Sequence, residues 1–260
     1  MKRTPVQLDL KDFPRALHSF FVGAKTYDSS CSPEARVWYI ERDGGYFLKR
    51  AAKGTLQKEA ALTRYFHKKF VAAEVLFYES ADDDWLLTSR VRGEDCTDPL
   101  YLAEPKKLAY TLAEILRELH ALDAADCPFD RHASYLSSVE EGYRSGRFDR
   151  SIFLPNTPLG NREEEYAFFL SHRHLLEKNT LIHGDACLPN IMLDNWHFVG
   201  LIDLGNGGCA DRHIDLFWGA WSLIYNLKTD AYTDWFFDAY GREAIDEERL
   251  RIVAAAECFG

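Results

Sequence analysis

No apolar run in this 260-residue chain approaches the length that spans a bilayer, and residues 1–20 have no continuous apolar stretch of the kind a secretion signal needs. These absences predict a cytoplasmic protein with no membrane partner. Paired cysteines are missing too: Cys31, Cys96, Cys127, Cys187, Cys209 and Cys258 are scattered, with no Cys-x-x-Cys. That argues against a zinc site or a secreted disulfide framework and fits reduced thiols. Internal repeats and low-complexity tracts are absent, and no feature calls for an obligatory protein partner. Basic charge is in short supply, with 31 Lys and Arg against 41 Asp and Glu, for a net charge of −10. Nucleic acid is therefore a poor partner, because phosphate backbones need clustered Lys and Arg, whereas a cationic small molecule is welcome.

What is present is ordinary for a globular protein: 47% hydrophobic and 28% charged residues, enough for one large domain or two lobes. The first part reads as strand-rich. Val37–Ile40 and Tyr46–Lys49 flank Glu41-Arg42-Asp43-Gly44-Gly45, a hairpin pattern. A helix is predicted near Leu56–Lys69, then short strands near Leu76–Glu79 and Trp85–Ser89 across an acidic turn, Asp82-Asp83-Asp84. From Pro105 the period changes, with Leu108, Leu112, Ile115, Leu116 and Leu119 at helical spacing. A helix over Glu163–Leu176 and short strands at Thr180–His183, Ile191–Leu193 and Phe198–Ile202 follow. Helices over His213–Asn226, Thr229–Tyr240 and Asp246–Phe259 close the chain, the last with Asp246 as N-cap. This order predicts an α+β fold: a small β-rich lobe over residues 1–92 and a larger, mainly helical lobe over 93–260.

The chemistry is concentrated in His183-Gly184-Asp185-Ala186-Cys187-Leu188-Pro189-Asn190 and in Leu201-Ile202-Asp203-Leu204-Gly205. An Asp, an Asn five residues on and a second Asp are what phosphoryl transfer from a nucleotide requires. One carboxylate orients the acceptor hydroxyl, while an amide and a second carboxylate hold metal ions on the phosphates. Asp185 is the candidate base. An alcohol has a very high pKa, so Asp185 takes the proton late, in a loose transition state. Asn190 and Asp203 supply the oxygen ligands that a hard ion such as Mg²⁺ prefers, although each also reads as a turn residue. His183 reads as a structural hydrogen-bonding residue and Cys187 as a small packing residue in a tight loop.

Lys49 ends an apolar strand, and Glu59 sits early in the next helix, the pattern of a phosphate-contacting lysine positioned by a helix glutamate. Phe47 fits either an adenine stack or the core. Ser29-Ser30-Cys31-Ser32-Pro33-Glu34 has no Gly-x-Gly-x-x-Gly, and by itself it is an ordinary turn.

Taken together, His183–Asn190, Ile202–Gly205, Ala210-Asp211-Arg212 and Asp215 resemble the aminoglycoside phosphotransferases, the 3′-phosphotransferases above all. Ser32-Pro33, Phe47-Leu48-Lys49, Leu119-His120-Ala121-Leu122, Cys127-Pro128, Thr157-Pro158 and Glu257-Cys258-Phe259 extend the resemblance over nearly the whole chain. It implies a protein-kinase-like fold of two lobes with ATP in the cleft between them, and ATP-dependent phosphorylation of an aminoglycoside hydroxyl, the 3′-OH, conferring antibiotic resistance. It assigns Asp185 as base, Asn190 and Asp203 as Mg²⁺ ligands, and Lys49 as the phosphate lysine supported by Glu59. Ser30 and Ser32 would lie over the nucleotide phosphates, with Phe47 and the backbone of Ser89 and Val91 at the adenine. Asp185, Glu257 and Phe259 would bind the cationic drug, whose capture weakens with salt.

The chain departs from close relatives in having Asn206 where they carry Arg, and Trp221 and Tyr225 where Arg and Glu are common. It also runs one residue past Phe259, which shifts the terminal carboxylate. Asn206, Trp221 and Tyr225 leave open a kinase of another small alcohol on the same fold, of choline, methylthio sugar or macrolide type.

Overall fold

The computed structural model describes residues 3–155 and 157–260. The chain forms two compact units, one of residues 1–94 and 192–205, the other of 95–191 and 206–260.

The first unit is built on an antiparallel sheet. Its strands are β1 (Thr4–Pro5), β2 (Lys25–Asp28), β3 (Ala35–Glu41), β4 (Tyr46–Ala52), β5 (Val75–Ser80) and β6 (Asp83–Ser89), ordered β1-β2-β3-β4-β6-β5. The β3–β4 hairpin pairs Trp38 with Leu48 and Tyr39 with Phe47. Alternation along β4 decides the site: Leu48 points into a core with Trp38, Ile40, Trp85 and Leu87, so Lys49 points to the other side. Phe13, Leu17 and Phe21 cover that core from the N-terminal segment, which ends in the short helix α1 (His18–Phe21). Helix α2 (Gln57–Lys68) packs on the opposite face through Leu56 and Ala60 against Ala51 and Leu86. The two-residue strand β7 (Glu94–Asp95) ends this run.

The expected acidic turn is corrected by the structure. Asp83 and Asp84 belong to β6, and Asp84 is fully buried. It accepts the N–H groups of Gly54 at 2.9 Å and Leu56 at 2.8 Å and the Tyr78 hydroxyl at 3.2 Å. Burial opposes its ionisation, but these donors and the Ser80 side chain prevail and hold its carboxyl below the usual range. Asp84 thereby closes the turn that launches α2.

The second unit opens with α3 (Pro99–Leu102), α4 (Pro105–His120), α5 (Arg131–Arg144), α6 (Arg162–His172) and the strand β8 (Thr180–Ile182). The chain then returns to the first unit through β9 (Ile191–Asp194) and β10 (His197–Leu201). Asn195 and Trp196, both at positive φ, make the tight turn between them. Leu201 N–H bonds the Val71 carbonyl at 2.8 Å, which ties this excursion to the chain after α2. Back in the second unit follow β11 (Gly208–Ala210), α7 (His213–Leu227), α8 (Thr233–Tyr240) and α9 (Glu247–Glu257).

Within that unit α4, α7 and α8 pack on one another, and α9 packs on α6 and α7. Asp246 caps α9, accepting the N–H groups of Glu248 and Arg249. Helix α5, which apolar periodicity does not predict, buries only Tyr135, Val139 and Gly142. Gly142 is required there, because a Cβ would stand 1.8 Å from the Phe259 carbonyl oxygen. Replacing Asp84 with Ala leaves three donors without an acceptor. Urea denaturation is expected to show a loss of about 3 kcal/mol; a loss below about 0.5 kcal/mol would contradict the role given to this carboxylate.

Candidate active site

In the first unit three charged groups meet. Lys49 Nζ lies 2.7 Å from Glu59 Oε1, in the first turn of α2, and also donates to Asp203 Oδ1. Burial works against the lysine's charge, but Asp203 and Glu59 outweigh it and hold the ammonium above the usual lysine range. Burial pushes the Glu59 carboxyl up, against the pull of Lys49. Asp203 itself is half exposed, at 49%, and sits at φ 57°, a left-handed conformation uncommon outside glycine. Two carboxylates share one ammonium, so the cluster keeps one uncompensated negative charge beside an accessible carboxylate.

Around this cluster, the half-buried Phe47 ring lies 5.1 Å from that of Tyr39, on the same side of β4 as Lys49. The Ser30 hydroxyl accepts Val37 N–H at 2.9 Å and its own N–H donates to Asp28, so Ser30 closes the loop that precedes β3. Ser32 is exposed at the loop tip. Ser89 N–H is engaged by the Glu74 carbonyl at 2.9 Å. Val91 is half-buried, and its side chain lies over Gly200.

In the second unit, β8 pairs antiparallel with β11, Ile182 opposite Gly208. The two motifs flank this pair, and Gly184 fits against the Asn206 carbonyl, where a Cβ would be only 2.0 Å from the oxygen; Gly184 also needs its φ of 80°. Asp215, in the first turn of α7 and fully buried, accepts His183 N–H and Gly184 N–H, both at 2.7 Å. His120 Nε2 is 3.1 Å from the same carboxylate, and His120 Nδ1 is 2.8 Å from the Tyr240 hydroxyl. The buried His183 ring accepts Asp185 N–H at 3.2 Å, and Ser222 Oγ accepts Leu188 N–H at 2.9 Å. Every turn of the loop is therefore anchored. Asn190 Nδ2 donates to the Asp185 carboxylate and to its carbonyl, both at 2.9 Å, and Asn190 Oδ1 finds no hydrogen-bond donor among the described residues. The Cys187 thiol is pushed up by burial and by Asp185, so it stays protonated and unreactive.

At the end of the chain, Glu257 is 7% exposed and accepts the Tyr135 hydroxyl at 2.8 Å. Burial pushes its carboxyl up to about 7; Tyr135, Arg131 and Trp218 oppose the rise, and the Asp185 charge adds to it. Phe259 is fully buried among Tyr143, Phe148 and Tyr166.

Residues 33–253 match the model of the phosphotransferase enzyme family. The chain is 46% identical over 257 residues to a probable aminoglycoside 3′-phosphotransferase of Lactococcus lactis subsp. lactis (strain IL1403), with 98% of each chain covered. The chain belongs to the aminoglycoside phosphotransferase family. A second relative, the aminoglycoside 3′-phosphotransferase of Streptomyces fradiae, is 30% identical over 75% of this chain and 76% of its own. Among solved structures, a type VIII aminoglycoside-3′-phosphotransferase superposes with a TM-score of 0.76 at 27% identity, covering 96% of this chain and 99% of that one. An aminoglycoside phosphotransferase of Streptomyces rimosus, in complex with ADP and streptomycin, shares the fold with a TM-score of 0.75 at 22% identity, over 97% and 99% of the two chains.

Asn190 offers an oxygen without a donor among the described residues and Asp203 an exposed carboxylate, both hard donors. Oxygen donors of this kind suit a hard ion such as Mg²⁺. No cluster of three or more His, Cys, Asp or Glu side chains suited to a metal occurs among the described residues. No helix among the described residues is long and apolar enough to cross a membrane.

Some supporting groups carry little sequence signal. Asp215 and His120 appear there only as markers of the resemblance, and Tyr135 and Ser222 not at all; each acts through a partner distant in sequence. Glu257 gives a test. Its folded-state pKa is raised, so the folded chain holds the proton more tightly. Its contribution to stability is then full below about pH 4.5 and lost as pH rises to about 7, by about 3 kcal/mol. Glu257→Gln is expected to lack that slope between pH 5 and 7.5 in urea titrations. Identical slopes in both proteins would contradict the burial argument.

Proposed function

We propose that the chain transfers the γ-phosphoryl group of ATP to a hydroxyl of an aminoglycoside, the 3′-OH, and so confers resistance to these antibiotics. The observation that carries this reading is the Asp185 carboxylate, half-buried on an anchored loop and held by Asn190 Nδ2. A base needs a fixed direction more than a shifted pKa when the proton leaves late. The names of the relatives, at up to 46% identity over 98% of the chain, supply the substrate class. The surplus of acidic residues suits a polycation.

In this reading Asp185 orients the acceptor hydroxyl and receives its proton as the oxygen bonds to phosphorus and ADP departs. Lys49, kept protonated by its carboxylate neighbours, contacts the phosphates, and Glu59 keeps it aimed. Asn190 and Asp203 hold Mg²⁺, which when bound neutralises phosphate charge. The Ser89 carbonyl and the Val91 backbone bind the adenine edge, Phe47 faces the base, and Ser30 and Ser32 shape the loop over the phosphates. Glu257, too buried to lie flat against a drug, attracts ammonium groups once ionised, above about pH 7, and Phe259 fixes the C-terminal segment that carries it.

The test is magnesium-dependent ADP release with kanamycin as acceptor. Turnover that chelation abolishes is expected. Silence with kanamycin, alongside turnover with choline or a methylthio sugar, would move the chain to the other reading. Asp185→Ala should lower kcat by about 10²- to 10⁴-fold while ATP affinity holds; a near-normal kcat would overturn the assignment. Asp203→Ala should abolish turnover, and activity retained there would mean that this ligand is misplaced.

A further inference from the structure

Helix α5 is mostly polar, and the mechanism above gives it no task. Its buried residues, Tyr135, Val139 and Gly142, recur at helical spacing, and two of them meet the segment Glu257-Cys258-Phe259. The Tyr135 hydroxyl donates to Glu257 Oε1 at 2.8 Å, and Gly142 fits against the Phe259 carbonyl, where no Cβ could stand. Just past the helix, Asp149 N–H donates to the Cys258 carbonyl at 2.8 Å. The helix start is fastened as well. Asp130 caps it by accepting Ala133 N–H at 2.9 Å and pairs with Lys178 at 2.6 Å, and Gly208 of β11 lies so close to Arg131 that a Cβ there would be 2.9 Å from the Arg131 Cβ. A fixed helix thus presents its buried face to the residues around Glu257.

Tyr135 is 3% exposed and Glu257 7%, so water contributes little and the carboxylate depends on protein donors. The groups that face it are Arg131 and Tyr135 from α5, Trp218 from α7, and Asp185 and Cys187 from the motif loop. Gly260 stands at its second oxygen, where a Cβ would be 3.1 Å from Glu257 Oε2, and the Gly260 carbonyl accepts from Arg147 at 3.1 Å. Burial and the Glu257 charge hold the Tyr135 hydroxyl well above the usual tyrosine range, so it stays protonated and remains a donor.

We infer that Tyr135 is a positioning residue for acceptor capture: its hydroxyl fixes Glu257 Oε1 and holds this carboxylate, in its charged form, for a cationic acceptor. The inference deepens the reading proposed above and rests on it. A hydroxyl bonds a carboxylate more strongly than a carboxylic acid, so Tyr135 favours the ionised Glu257. Burial opposes it, and the Asp185 charge adds to burial. Without the hydroxyl the balance tips toward the neutral acid, and near neutral pH an ammonium group loses its charge partner. The acceptor class is thus an alcohol that carries amines, since a neutral alcohol would bind equally well with or without Tyr135.

The test follows kanamycin by calorimetry and by steady-state kinetics from about pH 6 to 9, on the intact chain and on Tyr135→Phe, which keeps the ring and removes only the hydroxyl. The amines of the drug titrate alike in both experiments, so the ratio of the two proteins isolates Glu257. Tyr135→Phe should move the ionisation midpoint, about 7 in the wild type, up by about one unit. The kanamycin KM and Kd should then rise about threefold at pH 7.5 and return to the wild-type values near pH 9, with kcat and the KM for ATP nearly unchanged. A merely structural loss would raise both constants by one factor at every pH. If the wild type turns over kanamycin and the ratio is flat with pH, or its pH dependence persists in a Glu257→Gln background, the inference is wrong and the proposed function stands. If kanamycin binds with the Tyr135-dependent profile without being phosphorylated, the inference stands and the proposed function falls. Neither binding nor turnover would overturn both.

Discussion

A carboxylate taken fully out of water is unfavourable unless its lone pairs find donors, and Asp215 meets that condition by holding the loop that bears Asp185. Its two oxygens take the N–H groups of His183 and Gly184, and His120, itself bonded to Tyr240, supplies the third contact. The same groups that satisfy Asp215 are thus fixed by it. His183 then passes the order on by accepting Asp185 N–H, and Asn190 steadies the carboxylate beyond. The position of Asp215 in the first turn of α7 adds the helix dipole to these contacts. Without this buried acceptor, the backbone of Gly184 would have no reason to hold its left-handed bend against Asn206.

The first unit solves a related problem in the opposite way. There the demand is to keep a lysine charged in partial burial, and two carboxylates do it where one would suffice for neutrality. The excess negative charge rests on Asp203, whose backbone at φ 57° presents the carboxylate to solvent, as the proposed role of a cation ligand requires. Chain topology delivers it: the excursion of residues 192–205 into the first unit, fastened by Leu201 to Val71, brings Asp203 to Lys49.

These two mechanisms differ in how far a sequence can betray them. The β3–β4 hairpin, helix α2 with Glu59 in its first turn, α4, α7 and the Asp246 cap were legible because each depends on local periodicity or turn chemistry. Asp185 and Asn190 stood out by residue type and spacing, and the fold pairs them through Asn190 Nδ2. Helix α5 was not: Arg131–Arg144 is largely polar, and only Tyr135 and Val139 bury apolar surface. Asp82-Asp83-Asp84 read as a solvated turn because nothing nearby in sequence shows that Gly54, Leu56 and Tyr78 converge on Asp84. The pairing of Tyr135 with Glu257, 122 residues apart, is of the same kind. Long-range polar satisfaction leaves almost no local trace, and it accounts for most of what was missed.

Burial and exposure divide the second unit in a similar way. The inner carboxylate Glu257 is buried and tuned by its neighbours, whereas the outer face of α7 is aromatic and open. Where the phosphate lands is the most direct test of the whole account. The measurement is a phosphorus–proton correlation spectrum of the product made from kanamycin and ATP. Coupling of the new phosphorus to the proton at the 3′ carbon is predicted; coupling to a proton at any other carbon would contradict the account.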